Sequence, residues 1–121
     1  MNPDPDYAVL YSEFQQNYKT AQISGEECGI CIMKLAGLFM QYNLKYAEAL
    51  KQYTAVKATL ANQVDPQTGK GISSSKADVL ADATPEHNSY EMAKVHICNI
   101  EQAINALKAL SRSLQTEYNN S

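Results

Sequence analysis

Apolar residues recur along this chain at alternating spacings of three and four, which is the signature of helices that bury one face. A first stripe, Tyr7, Leu10, Tyr11, Phe14, Tyr18 and Ala21, predicts a helix over about 5–22, with Asp4 or Asp6 as its N-cap. Ser24 and Glu27 make a capping-box pattern directly before a second stripe. That stripe runs Cys28, Ile32, Leu35, Phe39, Tyr42, Tyr46, Ala49, Tyr53, Val56, Leu60. Nothing breaks it before Val64-Asp65-Pro66, so a helix is predicted over about 25–62, or roughly 55 Å at the helical rise.

The segment from about 63 to 84 carries Asp65-Pro66, Gly69-Lys70-Gly71 and Ser73-Ser74-Ser75, which is turn chemistry. Within it, Lys76 to Ala81 has the composition for one or two helical turns. Thr84-Pro85-Glu86 then sets a capping hydroxyl before a proline at the first helical position. The stripe that follows, Tyr90, Ala93, Ile97, Ile100, Ile104, Leu107, Ser111, Leu114 and Tyr118, predicts a helix over about 85–118. The expected fold is therefore all-α: a long antiparallel hairpin of the helices at about 25–62 and 85–118, a shorter N-terminal helix, and one helical domain over 1–121. Its two long helices carry further apolar side faces at Cys31, Leu38, Leu50, Ala103 and Leu110, more than one short helix can cover. A second copy of the chain is the expected cover, giving a helical homo-oligomer. The core or oligomer seam is assigned to Leu35, Phe39, Tyr42, Tyr46, Tyr53, Ile97, Ile100, Ile104 and Leu107.

Composition agrees with this class. Of 121 residues, 45% are hydrophobic and 19% charged, with five Gly, four Pro and no Trp, which suits long helices and a folded core. No stretch of about 18 uncharged apolar residues is present, and Met1 to Asp6 lacks the basic and apolar parts of a signal peptide, so a cytoplasmic protein that does not enter the membrane is expected. An odd cysteine count, three, fits free thiols in a reducing compartment.

Candidate chemistry is sparse. Cys28 and Cys31 form a CxxC, and His96 and Cys98 lie downstream, but residues two apart on a helix point away from each other, so only one of that pair could join a metal site. Buried structural thiols are the expectation, with no metal and no cofactor. His87 and His96 lack a Ser or Cys and acid arrangement on a shared face, so no catalytic residue is assigned. The loop around Lys70 departs from a Walker motif because Gly71 follows the lysine and no strand precedes it.

Net charge is −3, yet it is unevenly placed: residues 1–27 sum to −4, residues 28–77 to +4 and residues 78–121 to −3. A basic middle suggests an anion-binding surface at Lys70 and Lys76 in an unpaired loop, with Lys45 and Lys51 on the second helix, and with Tyr42, Tyr46 or Tyr53 available for base stacking. The competing reading pairs that basic middle with its acidic neighbours and puts the tyrosines in the core.

The stretch Gly69 to Tyr118 resembles small recombination-mediator proteins of T4-type phages in its order of features. Gly69-Lys70-Gly71, Lys76-Ala77-Asp78-Val79, Tyr90 and Arg112 carry the resemblance. It implies a phage protein that is oligomeric, binds single-stranded DNA and helps load a recombinase. The sequence thus leaves three functions: a non-catalytic, self-associating helical adaptor or assembly protein; a recombination mediator with single-stranded DNA and a recombinase as partners; and an oligomer sequestering a small anionic ligand.

Overall fold

The computed structural model describes residues 4–20 and 25–120. Among these residues the chain forms four helices, α1 (Asp6–Thr20), α2 (Gly25–Ala61), α3 (Ser74–Asp82) and α4 (Pro85–Asn120). The all-α class and the helix bounds agree with the sequence pattern to within a few residues. Ser24, Ala21 and the side chain of Tyr118 lie outside the described parts, and with them the expected capping box.

Local chemistry sets the ends. Thr84 caps α4: its hydroxyl accepts from the amide of His87 at 3.2 Å and donates to the carbonyl of Ala81 at 2.6 Å. Ser73 caps α3 by accepting from the Lys76 amide at 3.1 Å. At α1 the expected aspartate cap is replaced by Pro5, whose carbonyl accepts the amides of Ala8 and Val9 while Asp6 sits in the first turn. An acid there still meets the positive end of the helix.

The chain divides into two compact units, residues 1–41 with 97–121, and residues 42–96. The first unit gathers α1, the start of α2 and the end of α4. Its interior holds Tyr7, Cys28, Cys31, Leu35, Ile100, Ala103 and Leu107, with Leu35 and Ile100 fully buried. Ile97 and Ile104 are half-buried beside them, as is Phe39. Asn99 Nδ2 donates to the Tyr7 hydroxyl at 3.3 Å, tying α1 to α4.

The second unit has a different interior. Its buried side chains are small, Ala77 and Ala81 of α3 and Ala93 of α4. The volume is filled by half-buried rings from α2 and α4. Tyr42 meets His96, Tyr46 meets Tyr90 and Tyr53 meets His87, so α2 and α4 are antiparallel here.

Between α2 and α3 the expected open loop is an ordered turn. Val64 and Gly71 form an antiparallel bridge, the Asp65 amide donates to the Lys70 carbonyl at 2.7 Å, and the Gly69 amide returns to the Asp65 carbonyl at 2.8 Å. Gly69 has φ +69°, the left-handed conformation that this turn requires and that side chains disfavour.

Candidate functional site

Three features of the structure bear on function: the ring cluster of the second unit, the turn that carries Lys70, and the outer face of α2.

The ring cluster contains every seam tyrosine named from the sequence. Tyr90 stacks with Tyr46 at 5.6 Å between centroids and with Tyr53 at 5.2 Å and an interplanar angle of 13°. Lys45, Lys94 and Lys57 each place an ammonium within 4.6–5.3 Å of the ring of Tyr42, Tyr90 and Tyr53 respectively. Tyr42 and Tyr53 thus carry both a ring neighbour and a lysine, and Tyr46 stacks on Tyr90, the arrangement that the core reading of these tyrosines calls for. Lys45 is spent in the same way, packed on its own helix neighbour.

Polar groups close the cluster. The Tyr53 hydroxyl donates to Asp82 Oδ1 at 2.6 Å, and this bond, with burial and the nearby carboxylates, pushes its pKa up to about 12. A hydrogen bond with Tyr90 holds the Tyr46 hydroxyl above the usual phenol range too. His87 Nε2 lies 3.7 Å from Asp82 and 3.4 Å from Glu91, and Glu91 binds Lys94 Nζ at 3.0 Å, which raises the Lys94 pKa. Far from being an ordinary exposed helix-start residue, His87 is half-buried against Tyr53. These contacts tie α2, α3 and α4 together within the second unit.

Lys70 and Lys76 are exposed, but the backbone around them is not open. The amides of Asp65, Gln67, Gly69, Lys70 and Ile72 all donate within the turn, and that of Lys76 donates to Ser73. The turn's hydrogen bonds therefore take up these six amides, leaving the two ammonium groups as its exposed charges. Lys51 is exposed on α2.

Cys28 and Cys31 are buried, and burial pushes both thiols up, with Glu27 adding to the effect at Cys28 and Cys28 at Cys31. Cys98 is exposed and accepts from Gln102. His96 packs on Tyr42, and among the described residues no three His, Cys, Asp or Glu side chains gather as metal ligands.

Two adjoining grooves of about 390 and 260 Å³ run between α1 and α4 in the first unit, sharing Tyr11 and Gln15. Their lining holds no Lys or Arg, which removes the attraction a small anionic ligand would need.

The outer face of α2 is the feature that the seam assignment passed over. Met33, Met40 and Leu44 are 75%, 69% and 73% exposed, and Ile30 is 48% exposed. With Gly37 and Ala47 they follow their own three–four alternation, Ile30, Met33, Gly37, Met40, Leu44, Ala47, on the side of α2 away from the buried stripe, with Ile30 at its edge lining a groove against α1. The same spacing on α4 stops after Met92 and Val95, where Asn99 and Gln102 follow. Leu35, Ile100 and Leu107 are consumed by the chain's own core, so a partner would meet this outer strip and not those residues. No family model, curated protein or solved structure matches this chain, so its functional reading rests on these side chains.

Proposed function

We propose that the protein is a non-catalytic helical assembly module that associates with itself through the outer face of α2. One observation carries the reading: an unbroken apolar strip that the fold leaves in water while the predicted seams are spent internally. Isolated exposed apolar residues are ordinary, whereas a contiguous strip at heptad spacing is what a helix offers to another helix. Ile30, Met33, Met40 and Leu44 are between about half and three-quarters exposed, and rim residues of α2 would have to add to them for an interface of the size of a specific dimer. Two methionines in the strip suit a surface that repacks on contact.

Light scattering across a micromolar concentration series tests this. A dimer or larger species is expected, and Met40→Glu should return it to monomer with unchanged helical circular dichroism, because the side chain takes no part in the chain's own core. A wild-type monomer at the highest concentration overturns the reading. Single-stranded DNA binding with a recombinase partner, the reading drawn from the phage resemblance, is supported only by the exposure of Lys70 and Lys76 and stands second.

A further inference from the structure

The outer strip of α2 has an internal symmetry that specifies how a second copy would lie on it. Its positions, with the charged residues that bound it, are Glu26, Ile30, Met33, Gly37, Met40, Leu44, Ala47 and Lys51, all exposed and all on one continuous helix. The list is balanced about a point between Leu38 and Phe39. Counting outward from that point, Gly37 mirrors Met40, Met33 mirrors Leu44, Ile30 mirrors Ala47, and Glu26 mirrors Lys51.

We propose that α2 pairs with α2 of a second copy in an antiparallel dimer whose two-fold axis crosses the helix between Leu38 and Phe39. This rests on the self-association reading above and adds its partner, direction and register. A two-fold axis makes each contact occur twice and faces each residue with its mirror position. Gly37 then receives the partner's Met40, a missing side chain opposite a long one. Met33 meets the partner's Leu44, Ile30 meets the partner's Ala47, and the apolar run is closed at both ends by Glu26 against the partner's Lys51. In heptad terms every layer joins an a position to a d position, which is the antiparallel pattern.

Other arrangements are worse on the same residues. A parallel pair sets Glu26 against the partner's Glu26 and Lys51 against the partner's Lys51, and leaves a hole where Gly37 faces the partner's Gly37. Sliding the antiparallel pair by one heptad brings Met33 onto the partner's Lys51 in one direction and Leu44 onto the partner's Glu26 in the other. One rim of the favoured register does bring Glu27 toward the partner's Glu48. That contact is a like-charge cost of this register, similar in size to the Glu26–Lys51 attraction, and the apolar layers decide the register against it.

Charge reversal separates direction and register from association itself. Dimer dissociation constants are measured by sedimentation for the wild type, Met40→Glu, Glu26→Lys, Lys51→Glu and Glu26→Lys/Lys51→Glu, with helicity checked in each. Each single reversal turns two attractive contacts per dimer into repulsive ones and should weaken the dimer about tenfold. The double reversal restores both pairs and should return the constant to within about twofold of wild type. Lys51→Glu guards against an effect of Glu26→Lys on the helix start, since Lys51 is remote from either end of α2. A wild-type monomer removes this proposal together with the self-association reading. A dimer broken by Met40→Glu but indifferent to both single reversals keeps the face and overturns the register, and single reversals that weaken the dimer without rescue in the double variant overturn it as well.

Discussion

Replacing Ile100 by Ala removes three carbons from a side chain with no solvent exposure in the first unit. At about 0.8 kcal/mol per buried carbon the transfer loss is about 2.4 kcal/mol. The space left behind adds up to about 2 kcal/mol if the surrounding core does not close in. Alanine's better helix propensity returns about 0.4 kcal/mol. The expected net loss is about 2–4 kcal/mol, a large part of the 5–15 kcal/mol that typically holds a domain together, and a fall in melting temperature of roughly 8–16 °C. Val79→Ala on α3 is the control, because Val79 is 69% exposed and its replacement should stay within about 0.5 kcal/mol of wild type. Urea unfolding followed by far-ultraviolet circular dichroism reads both, provided the denaturant slopes agree. A loss below about 1 kcal/mol for Ile100→Ala, or one equal to that of Val79→Ala, would refute the assignment of Ile100 to the core.

Tyr53→Phe removes the hydroxyl that binds Asp82 and should cost about 1 kcal/mol at neutral pH. Because folding raises the Tyr53 pKa to about 12, from about 10 when unfolded, that contribution is complete below pH about 10 and fades as pH rises toward about 12; a wild-type-minus-variant difference constant across this range would count against the hydrogen bond. Cys98 should be the one fast thiol of the folded chain, with Cys28 and Cys31 labelled only as fast as the first unit opens, and mass spectrometry of the alkylated peptides checks the order. For Lys70 and Lys76, fluorescence anisotropy with labelled single-stranded DNA should show no salt-dependent binding. Binding whose salt slope drops by about 1.4 in Lys70→Glu/Lys76→Glu would bring the mediator reading forward.

The helices were legible because their periodicity is nearly unbroken and their ends carry strong chemistry. Thr84-Pro85 marks the start of α4 without help from the rest of the fold, and the buried or half-buried members of the α4 stripe, from Tyr90 to Leu114, are those its spacing picks out. The turn at 63–72 was harder to read. Its residues announce a break in periodicity, but whether the amides point outward or at one another depends on Asp65 accepting and donating across the turn, which composition does not encode. The charge imbalance likewise misled in part: a +4 segment looks like an anion site, while two of its six lysines, Lys45 and Lys57, lie over tyrosine rings within the fold, and Lys57 also approaches Asp78.

The face that carries the proposal was in the sequence but could not be ranked there. α2 bears two apolar stripes at the same three–four spacing on opposite sides, one rich in rings and bulky aliphatics, the other in Met, Gly and Ala. Periodicity treats both alike, since each satisfies the heptad rule. What separates them is supply: Cys28, Cys31 and Leu35 are buried in the first unit and the rings of α4 meet Tyr42, Tyr46 and Tyr53, while Met33, Met40 and Leu44 stay largely exposed among the described residues. A helix with one stripe needs one partner and is satisfied by a hairpin. A helix with two stripes, of which the fold covers one, keeps the second in water, and under the proposal it is the pairing of unlike residues across Leu38 and Phe39, Gly37 with Met40 and Glu26 with Lys51, that tells a second copy from any other partner.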